Sequence, residues 1–294
     1  MRNLDKYKGV IPAFYACYDE KGEISPAGVQ RLAQYFIDKG VKGVYVNGSS
    51  GECIYQSVED KKIVLENVMK VAKGKLTVIA HVACNNTKDS MELAAHAESL
   101  GVDAIASIPP IYFRLPDHAI AKYWNDISSA APNTDFVIYN IPQLAGVALS
   151  NSLFAEMRKN PRVIGVKNSS MPVQDIQMFK ADAGDDYIIF NGPDEQFISG
   201  RVIGAEAGIG GTYGVMPELF LKMNELVKAG QLEAVAGFED LIAALFLIVE
   251  VLKLDGVHRG QRVNEGQSIL SGHDGTDLHL TVVTGGVERC VLHV

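Results

Sequence analysis

Eight short apolar runs, each followed by a longer segment of helical period, occupy the chain from Gly9 to Tyr213 and leave few folds open to it. The runs are GVIPAFYAC from Gly9, GVYVNG from Gly43, KLTVIAHV from Lys75, AIASIPP from Ala104, DFVIYNIP from Asp135, VIGVKNSS from Val163, YIIFNG from Tyr187 and AGIGGTY from Ala207. They are rich in β-branched and aromatic residues and do not alternate cleanly, as expected of strands buried on both faces. Helix starts are marked by Ser25 with Pro26 and by Ser57 with Glu59 and Asp60, and others fall near Thr87, Pro116, Ser150, Pro172, Asp194 and Pro217. Eight strand–helix units in 294 residues point to an α/β fold, a closed (β/α)8 TIM barrel, with a doubly wound open sheet as the alternative. No GxGxxG follows the first run and no GxxxxGK[ST] occurs, so the usual nucleotide signals of open sheets are missing.

No Pro/Gly/Ser linker precedes Gly256, so residues 1–230 read as one barrel domain and 231–259 as a helical extension. Within that extension, Leu241 to Val249 is apolar nearly all round and needs cover from the barrel or from another subunit. From 260 to 294 the texture turns polar and glycine-rich, with no helical period and three of the chain's seven histidines.

A hydrophobic content of 47% supports a large core. A net charge of -8, a pI near 5.4 and no run of Lys/Arg disfavour nucleic acid and anionic membranes as partners. Cys17, Cys53, Cys84 and Cys290 are scattered and read as reduced, mostly structural thiols, and no metal site is expected. The opening MRNLDKYKGV lacks the apolar stretch of a signal peptide, and no apolar run is long enough to span a bilayer, so a cytoplasmic location is expected.

In a parallel barrel the chemistry collects where each strand turns polar at its carboxyl end. The sixth run delivers Lys167 there, behind Val163, Ile164, Gly165 and Val166. Desolvation disfavours an ammonium, and a neutral amine is a nucleophile toward carbonyl carbon, which is the case for Schiff-base catalysis. Taken alone, such a lysine more often snorkels to water or pairs with a carboxylate. The second run ends in GSSGE, where Ser49 and Ser50 between glycines offer hydroxyl and backbone donors to a small anion, or simply make a solvated turn. Tyr139 ends the fifth run, as a proton carrier for the lysine or as packing. Asp194 and Glu195, after the seventh run, suit sugar hydroxyls or a helix dipole, and the glycines of GIGGTYG leave space for a ligand.

In their order and spacing, GSSGE, YNIP, the Lys167 strand, NGPDE and GIGGTY resemble the dihydrodipicolinate synthase / N-acetylneuraminate lyase family of pyruvate-dependent class I aldolases, over about Gly9 to Gly260. The synthases carry an arginine shortly after YN-x-P to hold a substrate carboxylate. Here that stretch is Gln143, Leu144, Ala145, Gly146 and Val147, which is similar to the sialic acid lyases instead. The resemblance implies reversible cleavage of a sialic acid to an amino sugar and pyruvate, with Lys167 forming the imine and Tyr139 working as acid/base. It implies that Ser49 and Ser50 hold the pyruvate carboxylate, while Ser169, Gly192, Asp194 and Glu195 contact the sugar. Gly211 stands where some lyases carry serine, so one sugar contact is expected to be missing or replaced by water.

No cofactor is implied beyond the covalent imine of Lys167 with pyruvate or substrate. The implied partners are a small sugar acid and further copies of the chain, as a homotetramer. Another pyruvate aldolase acting on a 2-keto-3-deoxy sugar acid, a dihydrodipicolinate synthase and a non-catalytic ligand-binding barrel remain as alternatives. The family continues in helix after the step seen here as Gly256 to Gly260, so residues 260–294 read as an altered, poorly packed carboxyl terminus.

Overall fold

The computed structural model describes residues 2–232 and, as backbone, 267–273, 277–284 and 287–293. Strands and helices alternate as β1 (Val10–Pro12), α1 (Pro26–Asp38), β2 (Gly43–Val46), α2 (Val58–Ala72), β3 (Thr77–His81), α3 (Thr87–Leu100), β4 (Ala104–Ser107), α4 (Asp117–Ser129) and β5 (Asp135–Asn140). There follow α5 (Pro142–Ala145), α6 (Asn151–Met157), β6 (Val163–Asn168), α7 (Gln174–Ala183), β7 (Ile188–Asn191), α8 (Phe197–Val202), β8 (Ala207–Gly210) and α9 (Pro217–Lys228).

The helices start where local chemistry permits. Ser25 accepts from the Gly28 N–H, and Pro26 occupies the first helical position, where its missing N–H costs nothing. Ser57 and Asp60 form a reciprocal capping box for α2, and Asn86 and Ser150 cap α3 and α6. Asp194 opens a single turn of 3-10 helix, and α8 proper begins only at Phe197. The strands are shorter than the apolar runs, because the ends of each run leave the ladder to form the loops.

The eight strands pair in the order β1-β8-β7-β6-β5-β4-β3-β2, all parallel. The ring is completed between β1 and β2 by the Ala13–Tyr45 bridge and by the hydrogen bonds Lys42 N to Val10 O and Phe14 N to Tyr45 O, each 2.9 Å. This is the expected TIM barrel. Its core has two layers. Val44, Val46, Ile138 and Val166 pack outward against Phe36, Val68, Trp124 and Phe154 of the helices. Ile11, Tyr45, Ala106, Tyr139, Phe190 and Ile209 fill the interior. Each of these six is the penultimate residue of its strand, the layer just below the carboxyl-end mouth.

The chain divides into two compact units, Met1–Leu232 and Glu233–Val294. Except for Gln231 and Leu232, the anticipated helical extension over 231–259 lies outside the described residues. In the second unit β9 (Gln267–His273), β10 (Asp277–Thr284) and β11 (Val287–His293) form an antiparallel sheet in the order β11-β10-β9, a strand content the sequence reading did not assign. Among the described residues no helix is long and apolar enough to cross a membrane, and no group of three or more His, Cys, Asp or Glu is arranged to hold a metal ion. Cys17, Cys53 and Cys84 form no disulfide among the described residues.

Candidate active site

Lys167 is the penultimate residue of β6, and its register partners are Tyr139 on β5 and Phe190 on β7. An irregularity in the β5–β6 ladder between Phe136 and Val137 sets this register. At Gly165 a Cβ would lie 1.8 Å from the Ile188 carbonyl oxygen of β7. The glycine two residues before the lysine therefore lets β6 and β7 close up beneath the site.

The Lys167 side chain is 5% exposed, and its Nζ lies 3.8 Å from the centre of the Tyr139 ring and 4.3 Å from that of Tyr45. Two aromatic faces thus flank a buried amine and would stabilise positive charge on that nitrogen. The Tyr139 hydroxyl makes a long contact, 3.5 Å, with Ser49 Oγ. Ser49 and Ser50 occupy the 3-10 turn Ser49–Gly51, bounded by left-handed residues at Asn47 (φ 58°) and Glu52 (φ 55°). Gly51 fits this turn because a Cβ would come within 2.9 Å of the Phe14 carbonyl oxygen.

A second group forms on β6 to β8. A Cβ on Gly192 would lie 2.0 Å from Ser169 Oγ, so the two residues are in direct contact and only glycine fits. Asp194 is 8% exposed, and its Oδ2 accepts from the Thr212 N–H and hydroxyl, both at 2.7 Å. Its Oδ1 has no hydrogen-bond partner among the described residues. Burial raises its carboxyl to about 6, the Thr212 bonds oppose the shift, Glu195 adds to it and Lys167 reduces it. Glu195 itself is exposed at the rim.

The glycines of β8 need a correction. The space at Gly208 is filled by Tyr213 and Phe197, and that at Gly210 by Asp194 Oδ1, 1.7 Å from where a Cβ would be. These glycines make room for protein side chains rather than for a ligand. Gly211 is less closely packed: Ser50 Oγ lies 3.1 Å from its Cβ position, a tight contact with the end of a side chain, and Asp194 Oδ2 lies 3.9 Å away. The Tyr15 hydroxyl donates to its carbonyl.

Three sets of neighbours escaped the sequence reading. Tyr45 forms one wall of the lysine site, and its inward position follows from being penultimate in β2, as Tyr139 is in β5. His81, at the end of β3, stacks near Tyr45 and Tyr139 with ring centres 6.1 and 5.9 Å away. Burial and the Lys61 ammonium push it down to about 3, so the imidazole is neutral. Its Nδ1–H donates to Asn47 O at 2.9 Å, and its Nε2 accepts from the Ile108 N–H at 3.4 Å.

The third set is an asparagine ladder, Asn140, Asn168 and Asn191, paired in register one residue beyond Tyr139, Lys167 and Phe190. Asn140 donates to Asn168 at 2.7 Å, Asn168 to Ser170 at 2.8 Å, and Ser170 to Asp175 of α7 at 2.6 Å. Asn140 also accepts from the Leu149 N–H at 2.9 Å, and Asn191 donates to Pro193 O at 2.6 Å. The ladder ties down the loops that carry Ser169, Gly192 and Asp194.

Where a synthase would place its arginine, α5 and Gly146 bring no charge, and Leu144 is 62% exposed.

The chain matches the model of the Dihydrodipicolinate synthetase family over residues 6–280. It is 82% identical over 232 residues to the N-acetylneuraminate lyase of Mediterraneibacter gnavus, an alignment spanning 79% of this chain and 74% of that protein. It is 33% identical over 253 residues to an N-acetylneuraminate lyase of Escherichia coli, covering 86% of this chain and 84% of that one. Among solved structures, a catalytic lysine mutant of the sialic acid aldolase of Ruminococcus gnavus superposes with a TM-score of 0.83 at 76% identity, over 84% of this chain and 81% of that one. CdNal of Clostridium difficile, solved in complex with mannosamine, superposes with a TM-score of 0.79 at 30% identity, over 84% of each chain. With a family model matched over most of its length, eight parallel strands and a lysine at the mouth of the sixth, the chain belongs to the dihydrodipicolinate synthetase family.

Proposed function

We propose that this chain is a class I, Schiff-base aldolase that cleaves N-acetylneuraminate reversibly to N-acetylmannosamine and pyruvate. The observation that carries the reading is the buried Lys167 amine between the faces of Tyr139 and Tyr45, in a chain 82% identical to a protein named for that reaction. A cytoplasmic homotetramer working without metal or organic cofactor belongs to the same proposal, supported by the family resemblance.

Lys167 Nζ adds through its lone pair to the C2 ketone of the open-chain sugar acid, and loss of water leaves a protonated imine. That cation sits where the amine sat, so the two aromatic faces stabilise it throughout the reaction. Ser49 and Ser50 hydroxyls hold the carboxylate and fix the orientation of the keto acid. Tyr139, next to Ser49, accepts the C4 hydroxyl proton as it passes its own phenolic proton to the bound carboxylate. The C3–C4 bond breaks, its electrons pass into the imine to give an enamine, and the aldehyde of N-acetylmannosamine departs. Protonation of the enamine and addition of water release pyruvate and return the amine. The imine is the electron sink. The Asp194 carboxylate, with Ser169, Gly192 and Glu195, meets the hydroxyls of the sugar, and Gly211 puts no side chain there.

Incubation with pyruvate and borohydride, followed by mass spectrometry and peptide mapping, tests the imine: one reduced pyruvate on Lys167 is expected. An unchanged mass overturns the reading. Assays of N-acetylneuraminate against 2-keto-3-deoxy sugar acids then decide the aldehyde partner.

A further inference from the structure

At the opposite end of the barrel from Lys167, where the strands begin, lies a cavity of about 740 Å³. Its walls carry Lys8 before β1, Lys42 before β2, Lys73 and Lys75 before β3, and Lys228 at the end of α9. A chain with a net charge of -8 thus gathers five cations around one concavity. None of this is visible as a run of basic residues, because the lysines come from four separate segments that meet only when the barrel closes.

The two acids on the same walls are engaged elsewhere. Asp103 pairs with Lys6 at 3.1 Å and accepts from the Val78 N–H at 2.9 Å, and Glu225 lies 3.7 Å from Lys222. Lys8 pairs with Asp5 at 3.0 Å, and Lys73 donates to the Leu100 carbonyl at 2.7 Å. Lys42, Lys75 and Lys228 make no ion pair among the described residues. Convergent cations without counter-charges raise the local concentration of anions, and a concave wall gives them several simultaneous contacts. One further group narrows the ligand. Asn224 of α9, 6% exposed, lines the cavity, and its side-chain oxygen has no hydrogen-bond partner among the described residues. An unpaired acceptor calls for a donor, which a fully ionised phosphate monoester group lacks and a hydroxyl supplies.

We infer that the amino-terminal end of the barrel carries a second binding site, which takes a phosphate monoester of a small polyhydroxylated compound. Lys42, Lys75 and Lys228 hold the phosphate, and Asn224 meets the hydroxylated part. The site shares no residue with the aldolase mouth, and the proposal does not depend on the reaction performed there.

Titration calorimetry on the full chain with sorbitol 6-phosphate, inorganic phosphate and sorbitol, at fixed ionic strength, tests this. Saturable binding is expected for sorbitol 6-phosphate, weaker binding for inorganic phosphate, and none for sorbitol. The double variant Lys42→Gln/Lys75→Gln should bind sorbitol 6-phosphate about tenfold or more weakly, since charge-assisted contacts are the strong ones. Its far-UV circular dichroism and pyruvate imine formation should stay unchanged. Lys228→Gln, on a different element, should weaken binding on its own.

These lysines also follow helix carboxyl ends, where cations offset the dipole. A purely structural role predicts a lower Tm in the variants and no saturable binding by the unaltered chain, which would overturn the proposal. Undiminished affinity in both variants would place the ligand elsewhere and overturn it too. Equal affinity for inorganic phosphate and sorbitol 6-phosphate would remove the hydroxylated part of the assignment.

Discussion

Tyr139 and Lys167 are register partners on adjacent parallel strands, and the lysine nitrogen lies 3.8 Å from the centre of the tyrosine ring. The pairing makes the phenol both a wall for a cation and a neighbour able to exchange protons with whatever is bound to it. Lys167→Met should abolish borohydride trapping and lower kcat by at least about 10³-fold, as loss of a covalent nucleophile does. Tyr139→Phe keeps the ring and loses the hydroxyl. It should still trap pyruvate while kcat for cleavage falls about 10²- to 10⁴-fold, the usual range for a lost general acid/base. Steady-state kinetics beside the trapping assay separates the two.

The buried carboxyl of Asp194, raised to about 6, predicts a pH dependence. As the ionised form accepts hydrogen bonds and the protonated form has one acceptor fewer, KM for the sugar should rise as pH falls below about 6, and Asp194→Asn should flatten that rise. The stability effect has the opposite sense. The folded value lies above the usual 3.8, so the folded chain holds a proton that the unfolded chain has lost between about 4 and 6. Stability from this group is present below that window and is lost as pH rises through it. Urea unfolding at both ends of the window should show a smaller pH difference in Asp194→Asn.

Gly211→Ser places a hydroxyl near Ser50 Oγ and Asp194 Oδ2, 3.1 and 3.9 Å from the Cβ position, and the Ser50 side chain shifts slightly to admit it. A donor beside the carboxylate favours ionisation. The pH midpoint for the sugar KM should move below that of the unaltered chain, and the fold should survive. A midpoint that stays put would separate Gly211 from the Asp194 environment.

Gly165→Ala tests the packing beneath the lysine. With the new Cβ 1.8 Å from the Ile188 carbonyl oxygen, β6 and β7 must separate or shift register. Thermal unfolding should reveal a loss of at least about 1–3 kcal/mol, the usual cost of overpacking a core. Trapping by pyruvate should slow as well, because Lys167, two residues on in the same strand, is in register with Phe190 of β7.

Asn168→Ala removes the middle of the ladder and strands the Asn140 N–H in a buried setting, while Ser170 keeps its bond to Asp175. Leaving such a group unpaired costs about 1–3 kcal/mol. Because the ladder holds loops rather than touching substrate, KM for the sugar should rise more than kcat falls. An equal loss in both would assign Asn168 to the chemistry itself.

The barrel was legible because its determinants are local. Apolar runs, capping residues such as Ser25 and Ser57, and a glycine after α3 act within a few residues of themselves. Lys167 interrupts an apolar strand, but alone it reads as a snorkelling or paired lysine, and only the order and spacing of GSSGE, YNIP, NGPDE and GIGGTY around it make it the imine candidate. Tyr45 and His81 were not legible, since an aromatic residue or a histidine in a buried strand carries no mark of which face it takes. The glycines of β8 were read as space for a ligand, whereas Tyr213 and Asp194 fill two of the three places from positions later and earlier in the chain.

The sequence by itself determined the succession of strands and helices, their start points and the kinds of side chain brought to the mouth of the barrel. Hydrogen bonds within helices and the alternation of strand faces depend only on near neighbours. The tertiary structure alone decided that Lys167 lies between Tyr139 and Tyr45, that Asp194 keeps one oxygen without a partner among the described residues, and that five lysines from four segments surround one cavity. Those relationships depend on strand register and barrel closure, which join residues far apart in the chain and are set by packing over the whole core.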